Sequence, residues 1–394
     1  MKHIIAVILF LLLFLPTTYG QTSETDDSVR ISLLTCSPGE ELYSLFGHTA
    51  IRYEEPKRGI DVVFNYGLFS FRTPNFALRF ALGETDYMLG AEDYDSFISE
   101  YMMSNRSVWQ QTLNLTREEK AKLIGLLEEN YRPENRMYRY NFFYDNCATR
   151  PRDKIKESID GTVVYPDLEQ EPVSFRDIVY RFTKGHSWAR FGFNLCLGVE
   201  ADQPVTNEQM MFVPEYLKEA FAKTVIETNE GSHPLVASTI TLFEQEPQEE
   251  TGTEKFTPFA VTLLLLLICI FQTLKDIQRR KGCWPFDLLL FAVAGLAGCI
   301  LAFLALFSSH PTVDRNYVLF VFHPGHLFFL PYIINCIRKG KKCWYLAANA
   351  VVLTLFIAFF RLIPQEFEPA IVPLALCLLI RSASNLIITY RKKA

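Results

Sequence analysis

Residues 46–71 read FGHTAIRYEEPKRGIDVVFNYGLFSF. HTAIRY alternates like a strand, VVFNYGLFSF is a second β-rich run, and the polar turn between them carries Pro56 and Gly59. This pattern predicts a β-hairpin over 48–71 with His48 at its opening. On the N-terminal side, VRISLLT (29–35) reads as a further strand that ends at the turn SPGEE. On the C-terminal side, short helices are expected over 75–83 and 93–104, then a strand in SVWQQTLNL. Thr116 and Glu119 form a capping box at the head of an amphipathic helix. MYRYNFFY (137–144) reads as an aromatic strand, followed by a turn at Asp145–Asn146 and another helix. One or two helices follow in 205–226, and TNEGSHPL and EQEPQEETGTEK read as polar linkers. Helices flanking antiparallel pairs make this part α+β.

The whole chain has 394 residues and a net charge of −5, which argues against a nucleic-acid partner. That total hides a split: residues 1–255 carry a balance of −14 and residues 256–394 one of +9. The second part holds five apolar stretches, near 257–274, 286–307, 317–336, 344–361 and 370–389. Each approaches the ~20 residues that cross a hydrocarbon core. Basic residues follow the first, third and fifth stretches, whereas SSHPTVDRN and PQEFEP contain only Arg315. The positive-inside rule therefore puts the C-terminus in the cytoplasm and residues 21–255 outside. The opening MKHIIAVILFLLLFLPTTYG agrees: it reads as a secretory signal peptide cleaved near Gly20. The expected division is a signal peptide at 1–20, an extracytoplasmic domain at 21–240, a linker at 241–256 and an all-α five-helix membrane domain at 257–394.

Two segments of the outer domain stand out chemically, FGHTAIR around His48 and YDNCATR around Cys147. Acyl transfer by cysteine needs a thiolate, an imidazole base and a group that orients the imidazole. Cys147 precedes a helix, whose N-terminal N–H groups favour a thiolate. Asp145 or Asn146 can cap that helix. Cys36 is a rival nucleophile and His186 a rival base, while His233 sits in a linker. A structural disulfide between Cys147 and Cys36 or Cys196 is the alternative to catalysis. The histidines lack metal-ligand spacing and no nucleotide-binding loop occurs, so neither metal nor cofactor is implied. At the outer ends of the spans, His310, Arg315, Asn316 and His323 are candidates for lipid or substrate contact. Arg381, deep in the fifth stretch, needs a partner. Trp284, Tyr317, Trp344 and Tyr345 fit interfacial aromatic belts.

A histidine opening one strand, a second strand, and then a cysteine at a strand-to-helix junction resembles the circularly permuted papain-like fold, which includes the lecithin:retinol acyltransferase-like enzymes. In that group the residue orienting the imidazole lies on a following strand, which points to Asn65, with Asp61 next. LLTCSPGEELYSLFGHTAIR, FNYGLFSF, YRYNFFYDNCATRPRD and FVPEYL, followed by a multi-span C-terminus, further resemble the Lnb family of bacterial envelope proteins. That resemblance implies Cys147 as nucleophile and His48 as base. It also implies a lipoprotein N-acyltransferase of the inner membrane, with a phospholipid as acyl donor and diacylated lipoproteins as acceptors. Alternatives are an envelope cysteine amidase or peptidase using the same pair, and a non-catalytic membrane-anchored assembly protein.

Overall fold

A computed structural model describes residues 28–70, 72, 74–247 and 254–391. The expected signal peptide and part of the linker lie outside the described residues. Six strands come first: β1 (Arg30–Cys36), β2 (His48–Glu55), β3 (Ile60–Leu68), β4 (Asp86–Asp93), β5 (Val108–Leu113) and β6 (Met137–Arg139). A small antiparallel sheet follows, built from β7 (Thr162–Val164), β8 (Val225–Thr228) and β9 (Gly231–Pro234). The last strand, β10 (Val236–Phe243), returns to the edge of the main sheet, whose order is β10-β5-β1-β2-β3-β4-β6. All neighbours in that sheet are antiparallel.

The central strand β1 is apolar on both faces because both faces are covered. Ile31 and Leu33 pack with Leu123 and Leu127 of helix Arg117–Tyr131 and with Ile155 of helix Thr149–Ser158. Leu34 and Cys36 face the other way, onto Phe97 and Tyr101 of helix Tyr94–Met103. Fully burying a side chain of this size contributes about 1.5–3 kcal/mol. The capping box at Thr116 and Glu119 is present: each side chain bonds the other's backbone N–H, at 3.2 and 2.8 Å.

Two expectations need correction here. TNEGSHPL is no linker: it supplies the end of β8 and all of β9, and His233 lies within β9. The aromatic segment 137–144 is strand only over Met137–Arg139, after which the chain coils tightly, with Asn141 bridging Asp145.

In the second part, four helices are long and apolar enough to span a bilayer: Pro258–Arg279, Trp284–Phe307, Trp344–Leu362 and Ile371–Tyr390. The expected span at 317–336 is broken. Segments Tyr317–Phe328 and Leu330–Lys339 meet at 74°, so the count of spans is four, or five if the bent pair crosses as one. Pro324 and Pro331 explain the break, since each lacks the N–H that would continue a helix and tolerates only a first-turn position. Gly298 packs directly on the backbone of this segment: a Cβ there would come within 2.5 Å of the His323 carbonyl carbon.

Arg381 finds its partners on two other helices. Its guanidinium donates to Asp287 at 2.7 and 3.0 Å, to Asp276 at 2.6 Å and to Thr273 at 2.8 Å, all buried. Tyr345 departs from the belt expectation, being only 5% exposed with its hydroxyl 2.8 Å from His326 Nδ1.

The outer domain is locked to the outer ends of the spans. Helix Ser187–Cys196 lays Phe191, Leu195 and Cys196 on the membrane core. The Gly198 N–H donates to the Thr312 carbonyl at 2.6 Å, Asn316 Nδ2 to the Leu195 carbonyl at 2.7 Å, and Gln365 Nε2 to the Leu197 carbonyl at 3.0 Å. Arg190 pairs with the nearly buried Glu368 at 3.0 Å.

Candidate active site

The β2–β3 hairpin carries the first part of the site. Its register pairs Ile51 with Phe64, and continuing it sets His48 opposite Gly67 and Ala50 opposite Asn65. Alternate residues share a face, so His48 and Asn65 are diagonal neighbours. His48 Nε2 lies 2.7 Å from Asn65 Oδ1. Asn65 Nδ2 in turn donates to Glu92 Oε1 at 3.1 Å. Because a carboxylate only accepts, Glu92 fixes which end of the Asn65 amide faces the ring. The amide oxygen therefore accepts from Nε2–H, and Nδ1 is left as the unprotonated nitrogen. Asp61 takes no part: both its oxygens bond Arg52, at 2.8 and 2.6 Å.

Cys147 comes from the turn just before helix Thr149–Ser158. Asn146 holds the chain there through all four of its amide valences. Its oxygen accepts from Ala148 N–H (2.8 Å) and Thr149 N–H (3.0 Å), and its nitrogen donates to the Phe142 and Phe212 carbonyls at 2.9 and 2.8 Å. Asn146 is thus the residue that serves the helix start, while Asp145 pairs with Arg150. The backbone N–H groups of Cys147 itself and of Thr49, the residue after His48, favour negative charge on the Cys147 sulfur. Cys147 and the His48 ring both border Gly67. Gly67 makes room: its φ is +95°, and a Cβ there would stand 3.5 Å from Cys147 Cβ and 3.9 Å from His48 Cε1.

Both groups are partly exposed, yet their neighbours exclude most water. Burial pushes the Cys147 thiol up to about 11, against the pull of the two N–H bonds and the Arg106 charge. Burial also pulls His48 down to about 4; the Asn65 bond opposes this and the Arg106 charge adds to it. The resting pair is therefore a neutral thiol beside a neutral imidazole. Arg106 donates to the Ser37 carbonyl at 2.9 Å and lies over the Tyr101 ring. Tyr101 lies nearly parallel to His48, with ring centroids 6.5 Å apart.

The rivals are less suited. Cys36 stands directly opposite His48 in the β1–β2 register, but it is 1% exposed and burial raises its thiol pKa. His186 lines a separate cleft with Arg181, Lys184 and Glu215. Every cysteine is an unpaired thiol, so Cys147 is in no disulfide. Among the described residues, none of the four outer candidates bonds Cys147. Asn316 and His310 bond the outer domain, His310 Nε2 to the Phe80 carbonyl at 2.7 Å. His323 lies beside His326 within the spans, and the Arg315 side chain is 66% exposed beside Asp314. Glu92 and Arg106 were not singled out from sequence. Glu92 carries one readable signal, an acidic side chain two residues from the Gly90 that pairs with Asn65.

No curated protein and no solved structure matches the chain. Two family models do. One, described as the Lnb N-terminal periplasmic domain, matches residues 18–180. The other, described as the Lnb transmembrane domain, matches residues 248–393. The periplasmic match covers His48, Asn65, Glu92 and Cys147 together, and the transmembrane match covers all the spanning helices. The chain is a membrane protein with a periplasmic domain, and it belongs to the Lnb family.

Proposed function

We propose that the protein is a lipoprotein N-acyltransferase of the bacterial inner membrane that works through a thioester on Cys147. The observation that carries this reading is the chain Glu92–Asn65–His48 ending beside a cysteine thiol, on a domain fastened to the outer ends of membrane helices. His48 Nδ1 takes the thiol proton as the sulfur attacks a phospholipid ester carbonyl. In this reading the Thr49 and Cys147 N–H groups, which favour negative charge at the sulfur, also serve the developing oxyanion. As the ester C–O bond breaks, His48 gives its proton to the lysophospholipid oxygen, and the acyl group stays on Cys147. The neutral α-amine of a diacylglyceryl-cysteine then attacks the thioester. His48 takes the amine proton and returns it to the Cys147 sulfur, leaving an amide on the lipoprotein. A neutral resting pair suits this concerted use, because neither charge is paid for before the substrate arrives. The basic gaps between spans support a cytoplasmic C-terminus.

The test is to express the wild type and Cys147→Ser in cells lacking their own lipoprotein N-acyltransferase, then weigh the N-terminal peptide of one lipoprotein. A third acyl chain on the cysteine amine with the wild type only is the expected result. Diacylated peptide in both strains, with both proteins folded in the membrane, would overturn the reading in favour of an amidase.

A further inference from the structure

Helix Phe76–Leu82, FALRFAL, follows β3 directly, yet none of its seven residues is buried. Leu78 is 53% and Phe80 50% exposed. Its one charged side chain, Arg79, is turned to Asp86 and the Glu84 carbonyl. An apolar helix standing free in water loses the burial free energy that its residues could gain. This helix is tied to the outer end of the second spanning helix. Ser309 N–H donates to the Leu82 carbonyl at 2.9 Å, and His310 Nε2 to the Phe80 carbonyl at 2.7 Å. Gly83 is what lets them meet, since its φ is +71° and a Cβ there would lie 2.7 Å from Ser309 Oγ. Just before that junction, Leu306 and Phe307 are 74% and 66% exposed. The lipid-facing surface of the span thus continues onto the FALRFAL helix.

From the same helix a line of rings leads inward. Phe80 and Phe76 have centroids 6.1 Å apart, Phe76 and Phe69 5.9 Å, Phe69 and Tyr87 4.9 Å, and Tyr87 and Tyr140 4.1 Å. Tyr87 packs in one buried cluster with Ala148, the residue after Cys147, and Phe69 and Tyr140 pack against that cluster. We propose that helix Phe76–Leu82 dips into the outer leaflet and that the ring line Phe80–Phe76–Phe69–Tyr87 guides a phospholipid acyl chain from the bilayer to Cys147. This rests on the acyl-transfer reading above. Aromatic faces suit an acyl chain because they offer apolar contact without a fixed hydrogen-bond pattern.

The test uses the full-length protein in phosphatidylethanolamine–phosphatidylglycerol vesicles, with p-benzoylphenylalanine in place of Phe80. Irradiation should yield a protein–phospholipid adduct by mass spectrometry. In parallel, acylation of Cys147 is timed with vesicle phospholipid and with a water-soluble short-chain ester. For Leu78→Asp/Phe80→Asp, the ratio of the vesicle rate to the soluble-ester rate should fall at least tenfold relative to wild type. No lipid adduct, or an unchanged ratio, would overturn the proposal. A wild type that is acylated by neither ester would sink the acyl-transfer reading instead, and the adduct at residue 80 would still report the helix in the bilayer.

Discussion

Two of the molecule's hydrogen-bonded lines of polar groups, both in largely buried surroundings, are built to opposite ends. In the membrane part, the Arg381 guanidinium makes four hydrogen bonds, to Asp276, Asp287 and Thr273. In the periplasmic domain, Glu92, Asn65 and His48 form an equally ordered line that stops one group short. Among the described residues Nδ1 of His48 has no hydrogen-bond partner, and Cys147 lies near the ring across Gly67. A charge-paired cluster fixes how helices lie against one another, and a line with an unfinished end holds a reactive group in one orientation. The contrast lies in what the final group is given to bond.

The sharpest break of this comparison removes the unfinished end. Cys147→Ser should lower acyl transfer by about 10³-fold or more, while the midpoint of thermal unfolding stays within a few degrees of wild type. Loss of both activity and folding would place Cys147 with the structural groups. The next break is in the charge-paired cluster. Arg381→Ala strips the counter-charge from two buried carboxylates and should cost about 3–5 kcal/mol, read as loss of folded protein on detergent extraction. Arg381→Lys should recover only part, because an ammonium lacks the planar fork that bonds two carboxylates at once. Stability equal to wild type in the alanine variant would sink the assignment of the cluster as a helix clamp.

Smaller effects should follow from the support behind His48. Asn65→Ala frees the ring and should lower the acylation rate by about 10–100-fold, with little change in the apparent affinity for the ester. Glu92→Gln should cost less, about threefold to tenfold, because a glutamine can still accept but no longer dictates the Asn65 amide orientation. If Glu92→Gln were the worse of the two, orientation through Asn65 would be the wrong account. Gly67→Ala should also slow the reaction, through its positive φ and its crowding of both reacting groups.

The mildest test is acidity. His48 is held near 4 in the folded protein against 6.5 ordinarily, so the unfolded chain binds the extra proton between those values. Its contribution to stability is therefore complete above about pH 6.5 and shrinks as the pH falls towards 4. A His48→Gln variant should show a flatter loss of stability across that window in chemical denaturation. A parallel loss in the two proteins would mean that the ring titrates normally in the fold.

What could be read in advance divides by the range of the contacts. The capping box at Thr116 and Glu119 is written within four residues, and the hairpin that bears His48 and Asn65 within twenty-six, so both were legible. The Asn65–Glu92 bond was not. It depends on the pairing of β3 with β4, whose register shifts just beyond Asn65, and nothing local announces that shift. β10 escaped because its side chains are mostly exposed at a sheet edge, leaving no apolar face to betray a strand. The broken span looked continuous by hydropathy, although Pro324 and Pro331 were in plain view. For Arg381 the need for a partner could be read, but its identity required knowing which helices adjoin.

The bonds that fasten the outer domain to the spans have one more consequence. Thr312, Asn316, Gln365, Glu368 and Ser309 grip that domain at several separated points. Held in this way, it has little freedom to rise or tilt, so Cys147 keeps a constant position relative to the outer ends of the spans. On the proposed reading the protein then works as a depth gauge. An amine is accepted for lying at the level of the site, next to its own anchoring chains, and the residues further along the acceptor's chain have no part in the choice.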